Sequence, residues 1–282
     1  MSASKASHSP SSPSRLRNGV LDLAFFTYHE AMSCLFAVCI FGLLAVSHVV
    51  HIPGLGRYDF LLLGCLIMQV ILYKTGLETK DEVKVIGVFH LLGLALELYK
   101  VHMGSWAYPE PALTKIAGVP LYSGFMYASV ASYVCQAWRR LDMNLAYYPK
   151  WWLALPVAAA GYLNFFTHPY IGDYRWWILL AVLAVFWRTQ ILFTVRGRVR
   201  KMPLVLGFFL VGLFVYFAEN IATFYGAWQY PDQARGWHFV HPEKISSWFM
   251  LIIVEGILVA QLKRVKANLT HEEASRGKGI SS

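Results

Sequence analysis

The sequence predicts an all-α polytopic membrane protein, a bundle of about eight transmembrane helices arranged as two parallel four-helix repeats. Of its residues, 57% are hydrophobic and only 15% are charged, against about 25% charged in an ordinary soluble domain. Eight stretches are long and apolar enough to be membrane spans, and a pattern in the first half of the chain returns in the second. A soluble fold would leave much of this apolar surface uncovered.

The eight predicted spans follow from length and composition. A helix rises 1.5 Å per residue, so about 20 mostly apolar residues cross roughly 30 Å of hydrocarbon. The stretches that meet this condition lie near residues 31–50, 58–73, 85–103, 119–137, 151–167, 176–195, 203–224 and 246–262. We expect the polar residues 1–24 and 265–282 to form a disordered cytoplasmic arm and tail. The two repeats then occupy residues 25–145 and 146–264.

The cations between the spans predict the orientation. Eighteen Lys and Arg residues fall in the terminal segments and in every second loop. The opposite loops hold five, namely Arg57, Lys115, Arg175, Arg235 and Lys244. Because cytoplasmic loops carry the excess of cations, both termini are predicted to be cytoplasmic. The net charge of +9 then indicates contact with anionic membrane lipid rather than with nucleic acid.

The internal repeat is the most informative feature of the sequence. Glu97 is followed, after six residues, by Gly-Ser-Trp-x-Tyr-Pro-Glu, which ends at Glu110. Glu219 is followed at the same spacing by Gly-Ala-Trp-x-Tyr-Pro-Asp, which ends at Asp232, at a constant offset of 122 residues. Because the repeat unit contains four helices, both copies enter the membrane in the same direction. The halves are therefore predicted to pack as a pseudo-symmetric pair.

The two repeated glutamates, Glu97 and Glu219, are the candidate catalytic residues. Each lies two helical turns, about 10 Å, inside the predicted external end of its helix. A charged side chain at this depth is costly, so both are expected to face one internal cavity. His90 and Lys100 lie on the same face of the third helix as Glu97 and would extend it into a polar stripe.

Two further charges lie inside predicted spans. Arg188 falls within the sixth span and Glu255 near the middle of the eighth, which predicts an ion pair between them. The alternative for each intramembrane charge is that it only holds helices together.

Four aromatic residues, Trp106, Tyr108, Trp228 and Tyr230, lie at the predicted external boundary. An aromatic belt accounts for each of them separately, whereas their equal order and spacing in both copies favours a lid over the glutamate cavity. The candidate substrate-binding residues are His90, Lys100, Trp106, Tyr108, Trp228, Tyr230, Arg188 and Glu255.

The sequence predicts neither a metal site nor a cofactor. Its four cysteines lie singly in apolar runs, without the spacing of a disulfide or zinc site, and no nucleotide-binding or zinc-protease motif is present. His51, His168, His238 and His241 lie near the predicted external surface and are interpreted as polar caps. Joint ligation of a metal by these histidines is the alternative.

Three segments carry a resemblance to known proteins: Glu78-Thr-Lys-Asp-Glu82, Gly104-Ser-Trp-Ala-Tyr-Pro-Glu110 and Val119-Pro-Leu-Tyr-Ser-Gly-Phe-Met-Tyr-Ala-Ser129. With them, the membrane region resembles the bacterial YoaT-like multi-pass family, which has no assigned reaction. That resemblance implies a bacterial inner-membrane protein.

A more distant resemblance is to the membrane lycopene cyclase and carotenoid hydratase group. It rests on an acidic residue, then Gly-x-Trp-x-Tyr, then a Val-Pro that opens the next helix. For a cyclase, the resemblance implies a Pro-x-Glu-Glu/Asp motif in that helix. The matching stretch here is Pro120-Leu-Tyr-Ser123, which contains no carboxylate.

Two functional classes remain. The first is a membrane enzyme that acts on an apolar polyene, isoprenoid or lipid, with a buried glutamate as general acid or cation stabiliser. The second is a proton-coupled transporter or carrier of a small molecule, since parallel repeats and intramembrane carboxylates are typical of transporters too. The carotenoid resemblance favours the enzyme. Expected partners are membrane lipid and an apolar small molecule, and the sequence leaves the oligomeric state open.

Overall fold

The computed structural model describes the chain from residue 12 to residue 279, and over this range the fold is mostly helical, as predicted. The helices are α1 (Ser12–Ser33), α2 (Leu35–Val46), α3 (Arg57–Lys74), α4 (Lys80–His102), α5 (Ser123–Arg140), α6 (Trp151–Ile171), α7 (Arg175–Phe186), α8 (Leu204–Phe224) and α9 (Lys244–Gly279).

Two small antiparallel sheets lie between the helices. The first pairs β1 (Lys115–Ile116) with β2 (Val119–Pro120). The second contains β3 (Asn144–Ala146), β4 (Gln190–Val195) and β5 (Arg198–Pro203), with β4 in the middle. This second sheet ties the end of the first half of the chain to the connection between α7 and α8.

Among the described residues, three helices are long and apolar enough to cross a membrane: α4, α8 and the segment Lys244–Gln261 of α9. A fourth span results if α1 and α2, which meet at a bend of 58°, count as one. The prediction that the chain contains apolar helices of membrane-spanning length is thus confirmed for three or four spans. The predicted number of eight spans is not supported by helix length and hydropathy.

The predicted sixth span, residues 176–195, is wrong in its second half. α7 contains 12 residues, about 18 Å of helix. The chain then continues as the β4–β5 hairpin, because Arg196 and Gly197 form a two-residue turn with φ angles of 49° and 74°. Positive φ at both positions is the geometry of the type I′ turn, which joins two twisted strands.

The predicted disordered ends also differ from the structure. α1 covers residues 12–24 and α9 covers residues 265–279, so both stretches are helical. Residues 1–11 and 280–282 lie outside the described part of the chain. Asp22 of α1 forms salt bridges of 3.2 and 2.5 Å to two arginines of the β4–β5 hairpin. These contacts, which composition does not reveal, hold α1 against the hairpin.

Two hydrophobic clusters form most of the core. One draws mainly on α2 to α5 and the other mainly on α6 to α9. Within the first half, α4 and α5 cross closely at two glycines. A Cβ on Gly93 would overlap the ring of Tyr127, and one on Gly124 would lie 2.7 Å from His90. This crossing fixes the register of α4 against α5.

Apolar stripes on α3 and α8 face outward. The exposed residues include Leu63, Leu66, Ile67 and Val70 on α3 and Leu206, Leu210, Phe214 and Phe217 on α8. They recur every three or four residues, so each set forms one continuous helix face. Soluble proteins rarely expose such faces, which are typical of surfaces in contact with lipid.

Candidate functional site

The carboxylate of Glu97 is held by three aromatic side chains. Its Oε2 accepts hydrogen bonds from Trp106 Nε1 at 2.7 Å and from the Tyr108 hydroxyl at 2.8 Å. Its Oε1 accepts one from the Tyr127 hydroxyl at 2.8 Å. Glu97 is 3% exposed, and it has no salt-bridge partner between residues 12 and 279. Indole and phenol groups thus supply donors without a second buried charge.

Glu219 of α8 has a related arrangement. Its Oε1 accepts a hydrogen bond from the Tyr230 hydroxyl at 2.5 Å, and its Oε2 accepts one from Trp248 Nε1 at 2.6 Å. Tyr230 is 122 residues after Tyr108, so the glutamate–tyrosine bond occurs in both halves. The tryptophan donor, in contrast, comes from α9 instead of the loop. Lys244 lies near enough to interact electrostatically with this carboxylate.

A glycine turn places each tyrosine beside its glutamate. Gly104 and Gly226 follow the ends of α4 and α8 with φ angles of 69° and 60°. In both copies the next amide donates to a helix carbonyl five residues back at 2.9 Å. Glycine adopts this left-handed conformation without a steric penalty and ends the helix. The chain then returns over the last turns of the helix, where Tyr108 and Tyr230 reach the carboxylates.

The two repeated loops meet at an antiparallel bridge between Ala107 and Gln229. The amide of each donates to the carbonyl of the other at 2.9 Å. These two residues are 122 positions apart, so equivalent residues of the repeat contact each other. Beside them, Trp106 packs edge-on against Tyr230, with 6.0 Å between ring centroids. The sequence predicted that Trp106, Tyr108 and Tyr230 form a lid over an open cavity shared by the two glutamates. In the structure these three side chains donate hydrogen bonds to Glu97 and Glu219.

A narrow crevice lies between α4, α5, α6 and α9. Its walls are apolar except for Tyr127, Tyr162 and Glu255, and its enclosed space is about 10 Å³, room for roughly one water molecule. Glu255 is 2% exposed, and its Oε2 has no hydrogen-bond partner among the residues that the structure describes. The Tyr127 hydroxyl binds Glu97 while its ring lines the crevice. Glu97 and the crevice are thus adjacent.

The predicted ion pair between Arg188 and Glu255 is wrong. α7 ends two residues before Arg188, so this arginine lies outside the helix and is exposed. Its guanidinium carbon lies 4.8 Å from the centre of the Trp187 ring. Arg188 therefore belongs to the connection before β4, and Glu255 is left without the cation that the sequence predicted.

The remaining predicted site residues, His90, Trp228 and Lys100, are not among the hydrogen-bond donors to Glu97 and Glu219. His90 packs 4.6 Å from the Phe125 ring at the α4–α5 crossing, and its Nδ1 is buried without a partner in the described chain. Trp228 is buried and interacts with Tyr230 rather than with Glu219. Lys100, at the end of α4, is 7% exposed.

Sequence reasoning missed Tyr127 and Trp248, which donate to the two glutamates. One signal was available: the Ser-x-Phe-Met segments at residues 123–126 and 247–250 recur in the two halves and mark the helix starts from which both donors come. Spacing along one helix does not reveal which neighbouring helix its side chains contact.

The histidines that were predicted to lie near the external surface do not converge among the described residues. His238 lies 3.5 Å from Asp232, and His241 lies 3.8 Å from Glu243. Within residues 12–279, no group of three or more His, Cys, Asp or Glu side chains is placed to hold a metal ion.

This fold and these sites define a helical protein with membrane-length apolar helices and carboxylates buried among aromatic donors. The chain belongs to the family described as Protein of unknown function (DUF817), whose model matches residues 22–255. It is 54% identical over 247 residues to Uncharacterized protein YoaT of Bacillus subtilis (strain 168). The aligned region covers 88% of this chain and 94% of that protein. The YoaT-like resemblance is confirmed, whereas these matches give no support to the carotenoid cyclase resemblance. No solved structure matches the chain.

Proposed function

We propose that this protein is a multi-pass protein of the bacterial inner membrane that acts on an apolar polyene, isoprenoid or lipid substrate through buried glutamates. The observation that carries the proposal is Glu255, a buried carboxyl that faces an apolar crevice and has an oxygen without a partner in the described chain. An unpaired buried carboxyl costs free energy. Ionisable groups of this kind in membrane helices usually mark a functional site.

Eight helices, α2 to α9, enter the membrane in this proposal. α4, α8 and α9 meet the length requirement by themselves. The outward apolar stripe of α3 supports its insertion, and the exposed residues Trp176, Trp177, Leu180 and Leu183 support that of α7. α7 reaches through only part of the hydrocarbon, and the cationic β4–β5 hairpin lies at its cytoplasmic end. The alternation of loop cations gives cytoplasmic termini.

The halves α2–α5 and α6–α9 are proposed to be parallel repeats related by an axis along the membrane normal. The Ala107–Gln229 bridge supports this arrangement, because a twofold axis through it exchanges two residues that are 122 positions apart. The recurrent Glu–Tyr bonds and glycine turns on either side support it as well.

Glu255 has a different role from Glu97 and Glu219 in the proposed chemistry. Glu255 is the general acid: it donates its proton to a double bond of the substrate, whose π electrons form the new C–H bond, and its carboxylate takes a proton back when the resulting cation forms a new double bond. Glu97 orients Tyr127, which forms part of the crevice wall. Glu97 and Glu219 each accept hydrogen bonds at both carboxyl oxygens and thereby hold the aromatic side chains of the site in place.

The proposal is tested by the lipids of cells that express the wild type or Glu255→Gln. Glutamine keeps the size of the side chain but donates no acidic proton. Mass spectrometry of extracts, and of compounds that copurify in mild detergent, should identify a product in the wild type and its precursor in the variant. Identical lipid profiles at equal protein levels would contradict the enzyme proposal.

A proton-coupled carrier is the second candidate. It is favoured by the row of proton-bearing groups from Glu97 through Tyr127 to the crevice at Glu255. Proteoliposomes distinguish the two functions: a carrier acidifies or alkalinises the lumen when a gradient of its solute is imposed, and Glu255→Gln abolishes this change. An enzyme produces no such change.

A further inference from the structure

The carboxyl group of Glu255 lacks the hydrogen bonds that a buried polar group normally has. Its side chain is 2% exposed, and its Oε2 is buried without a hydrogen-bond partner among the described residues. Burying a polar oxygen in this state costs free energy. Where the protein supplies no partner for a buried polar group, an ordered water usually does. The position of Glu255 therefore indicates a bound water beside it.

The crevice next to Glu255 has the size and the polar groups that a single water needs. Its enclosed space is about 10 Å³, near the lower limit for holding one water. Such a water also needs roughly two to four polar partners. The crevice walls offer the carboxyl of Glu255 and two phenols, those of Tyr127 and Tyr162.

Both phenols already use their hydroxyl hydrogens. The Tyr127 hydroxyl donates to Glu97 Oε1 at 2.8 Å, and the Tyr162 hydroxyl donates to the carbonyl of Leu92 at 2.9 Å. A hydroxyl that donates its hydrogen still accepts one through its oxygen lone pairs. A water in the crevice therefore donates to a phenol oxygen. Tyr162 leads only to a backbone carbonyl, whereas Tyr127 leads to a second buried carboxyl.

We propose that the crevice binds one water, which bridges Glu255 to Tyr127, and that this bridge relays protons between Glu255 and Glu97. The inference goes beyond the proposed function, because it applies to the enzyme and to the carrier alike. Glu255 belongs to α9 and Glu97 to α4, so the relay joins the two halves of the chain. A single water compensates only part of the cost of burying the Glu255 carboxyl.

The relay transfers one proton without any net change in the groups between its ends. Glu255 releases its proton to the water, the water passes one of its own to the Tyr127 oxygen, and Tyr127 passes its phenolic proton to Glu97. Glu255 ends as a carboxylate and Glu97 as a carboxylic acid, while a water and a phenol remain between them. The reverse shift restores the acid at Glu255. Each intermediate group is able to accept one proton and donate another.

The bridge is tested by thermal unfolding of the full-length protein in neutral detergent. Tyr127→Phe should lower the melting temperature less in Glu255→Leu than in the wild type, because the leucine variant has no bridge left to break. The matched control is Tyr230→Phe, which removes a hydroxyl bonded to Glu219 from a side chain outside the crevice wall. Its loss should be the same in both backgrounds.

Two results would overturn the bridge. One is an equal loss for Tyr127→Phe in both backgrounds. The other is a dependence on Glu255 that appears for Tyr162→Phe instead of Tyr127→Phe, because a water held by Tyr162 makes no link to Glu97.

The relay is tested by the rate at which the Glu255 proton exchanges in heavy water. Infrared spectroscopy detects the exchange as a shift of the carbonyl band of the protonated carboxyl, and the loss of that band in Glu255→Gln assigns it. Exchange should be slower by about tenfold or more in Tyr127→Phe, which has no hydroxyl to pass the proton. Tyr230→Phe should exchange like the wild type. Absence of the Glu255 band, or equal rates in both tyrosine variants, would refute the relay.

These measurements are independent of the cellular lipids that test the proposed function. If Tyr127→Phe slows the exchange while Glu255→Gln leaves the lipids unchanged, the enzyme proposal fails and the relay stands. If Glu255→Gln alters the lipids while Tyr127→Phe exchanges normally, the relay fails and the enzyme proposal stands.

Discussion

The buried residues Glu97, Glu219 and Glu255 differ in what surrounds them. Glu97 and Glu219 have both oxygens occupied by aromatic donors, so each exchanges its bonds to water for bonds within the protein. Glu255 keeps an oxygen without a partner in the described structure, so its burial is not compensated in this way. Substitutions should therefore affect stability in opposite directions.

Glu97→Leu should destabilise the protein by about 3 kcal/mol or more, because three buried donors lose their acceptor at about 1–3 kcal/mol each. Glu97→Gln should cost only about 1 kcal/mol, since its amide keeps an acceptor oxygen. Thermal unfolding in detergent measures both. The control Glu243→Leu changes a side chain that is 83% exposed and should leave the melting temperature unchanged. Equal losses for the leucine and glutamine variants would mean that the hydrogen bonds contribute little.

Glu255→Leu should stabilise the protein by about 1–2 kcal/mol, since it removes an unsatisfied buried polar group from apolar surroundings. The same variant should lose the activity. A gain in melting temperature together with a loss of function is typical of a residue kept for chemistry. A destabilised variant would instead indicate that Glu255 holds helices together.

The sequence located Glu97, Glu219 and their tyrosines because a local pattern, one helix end and the turn after it, determines their contacts. The contact between Tyr127 and Glu97 depends on how two helices cross, and Gly93 and Gly124 determine that crossing through the space they leave. Such space is a property of two packed surfaces. No periodicity along either helix encodes it.

At the scale of elements, the α4–α5 crossing controls the position of Tyr127. Gly93→Ala should cost about 1–3 kcal/mol through overpacking, and it should displace the Tyr127 ring from Glu97. The matched control is Gly87→Ala on the same helix, where an added Cβ meets nothing within 4 Å and should stabilise the helix by up to about 1 kcal/mol. Similar melting temperatures for the two variants would show that α5 shifts without cost.

The connection between α3 and α4 contains a buried carboxyl, Glu78. Burial raises the pKa of Glu78 above its ordinary value of 4.5, hydrogen bonds from Ser132 and Gln69 oppose the shift, and the charge of Glu82 reinforces it. The folded state therefore holds this proton more tightly than the unfolded state. The contribution of Glu78 to stability is greatest below pH 4.5 and falls as the pH rises towards the raised value.

Glu78→Gln should remove that pH dependence. Melting temperatures measured from pH 4.5 towards neutrality should fall less steeply for Glu78→Gln than for the wild type, because glutamine does not ionise. Glu243→Gln, at an exposed position, serves as the control and should follow the wild type. Parallel curves for all three proteins would show that Glu78 does not determine the slope.

A helix was predictable from the sequence where both its apolar run and the residues at its ends indicated a helix. α4 has an apolar run and a Thr79–Glu82 capping box at its start, and its predicted span was close to its observed bounds. The sixth predicted span failed because residues 190–195 are as apolar as a helix interior but are followed by Arg196-Gly197, whose turn geometry favours a hairpin. Hydropathy averaged over about 20 residues does not distinguish these outcomes.

At the scale of the whole molecule, the proposed topology predicts which surfaces an impermeant thiol reagent reaches. With the four native cysteines replaced by alanine, Arg235→Cys should react in intact cells and Lys201→Cys only after permeabilisation, because the cation distribution places them on opposite sides. Both side chains are exposed, whereas Gln233 in the same external loop is 4% exposed and unsuitable. The reverse pattern of labelling would show that the orientation is opposite to the proposed one.

The Ala107–Gln229 bridge bears on how the chain could have evolved. A residue that pairs with its own counterpart is what joins the subunits of a twofold homodimer. An ancestral chain with a single copy would make this contact with a second chain, and fusion through the segment 141–150 would preserve it unchanged. When the Ser-x-Phe-Met segments at residues 123–126 and 247–250 are aligned, the counterpart of Glu255 is Ala131. Only after such a fusion can one copy acquire Glu255 while the other keeps Ala131, since a homodimer always carries any new carboxyl twice. A duplication of this kind would separate the proposed acid from the scaffold that holds it.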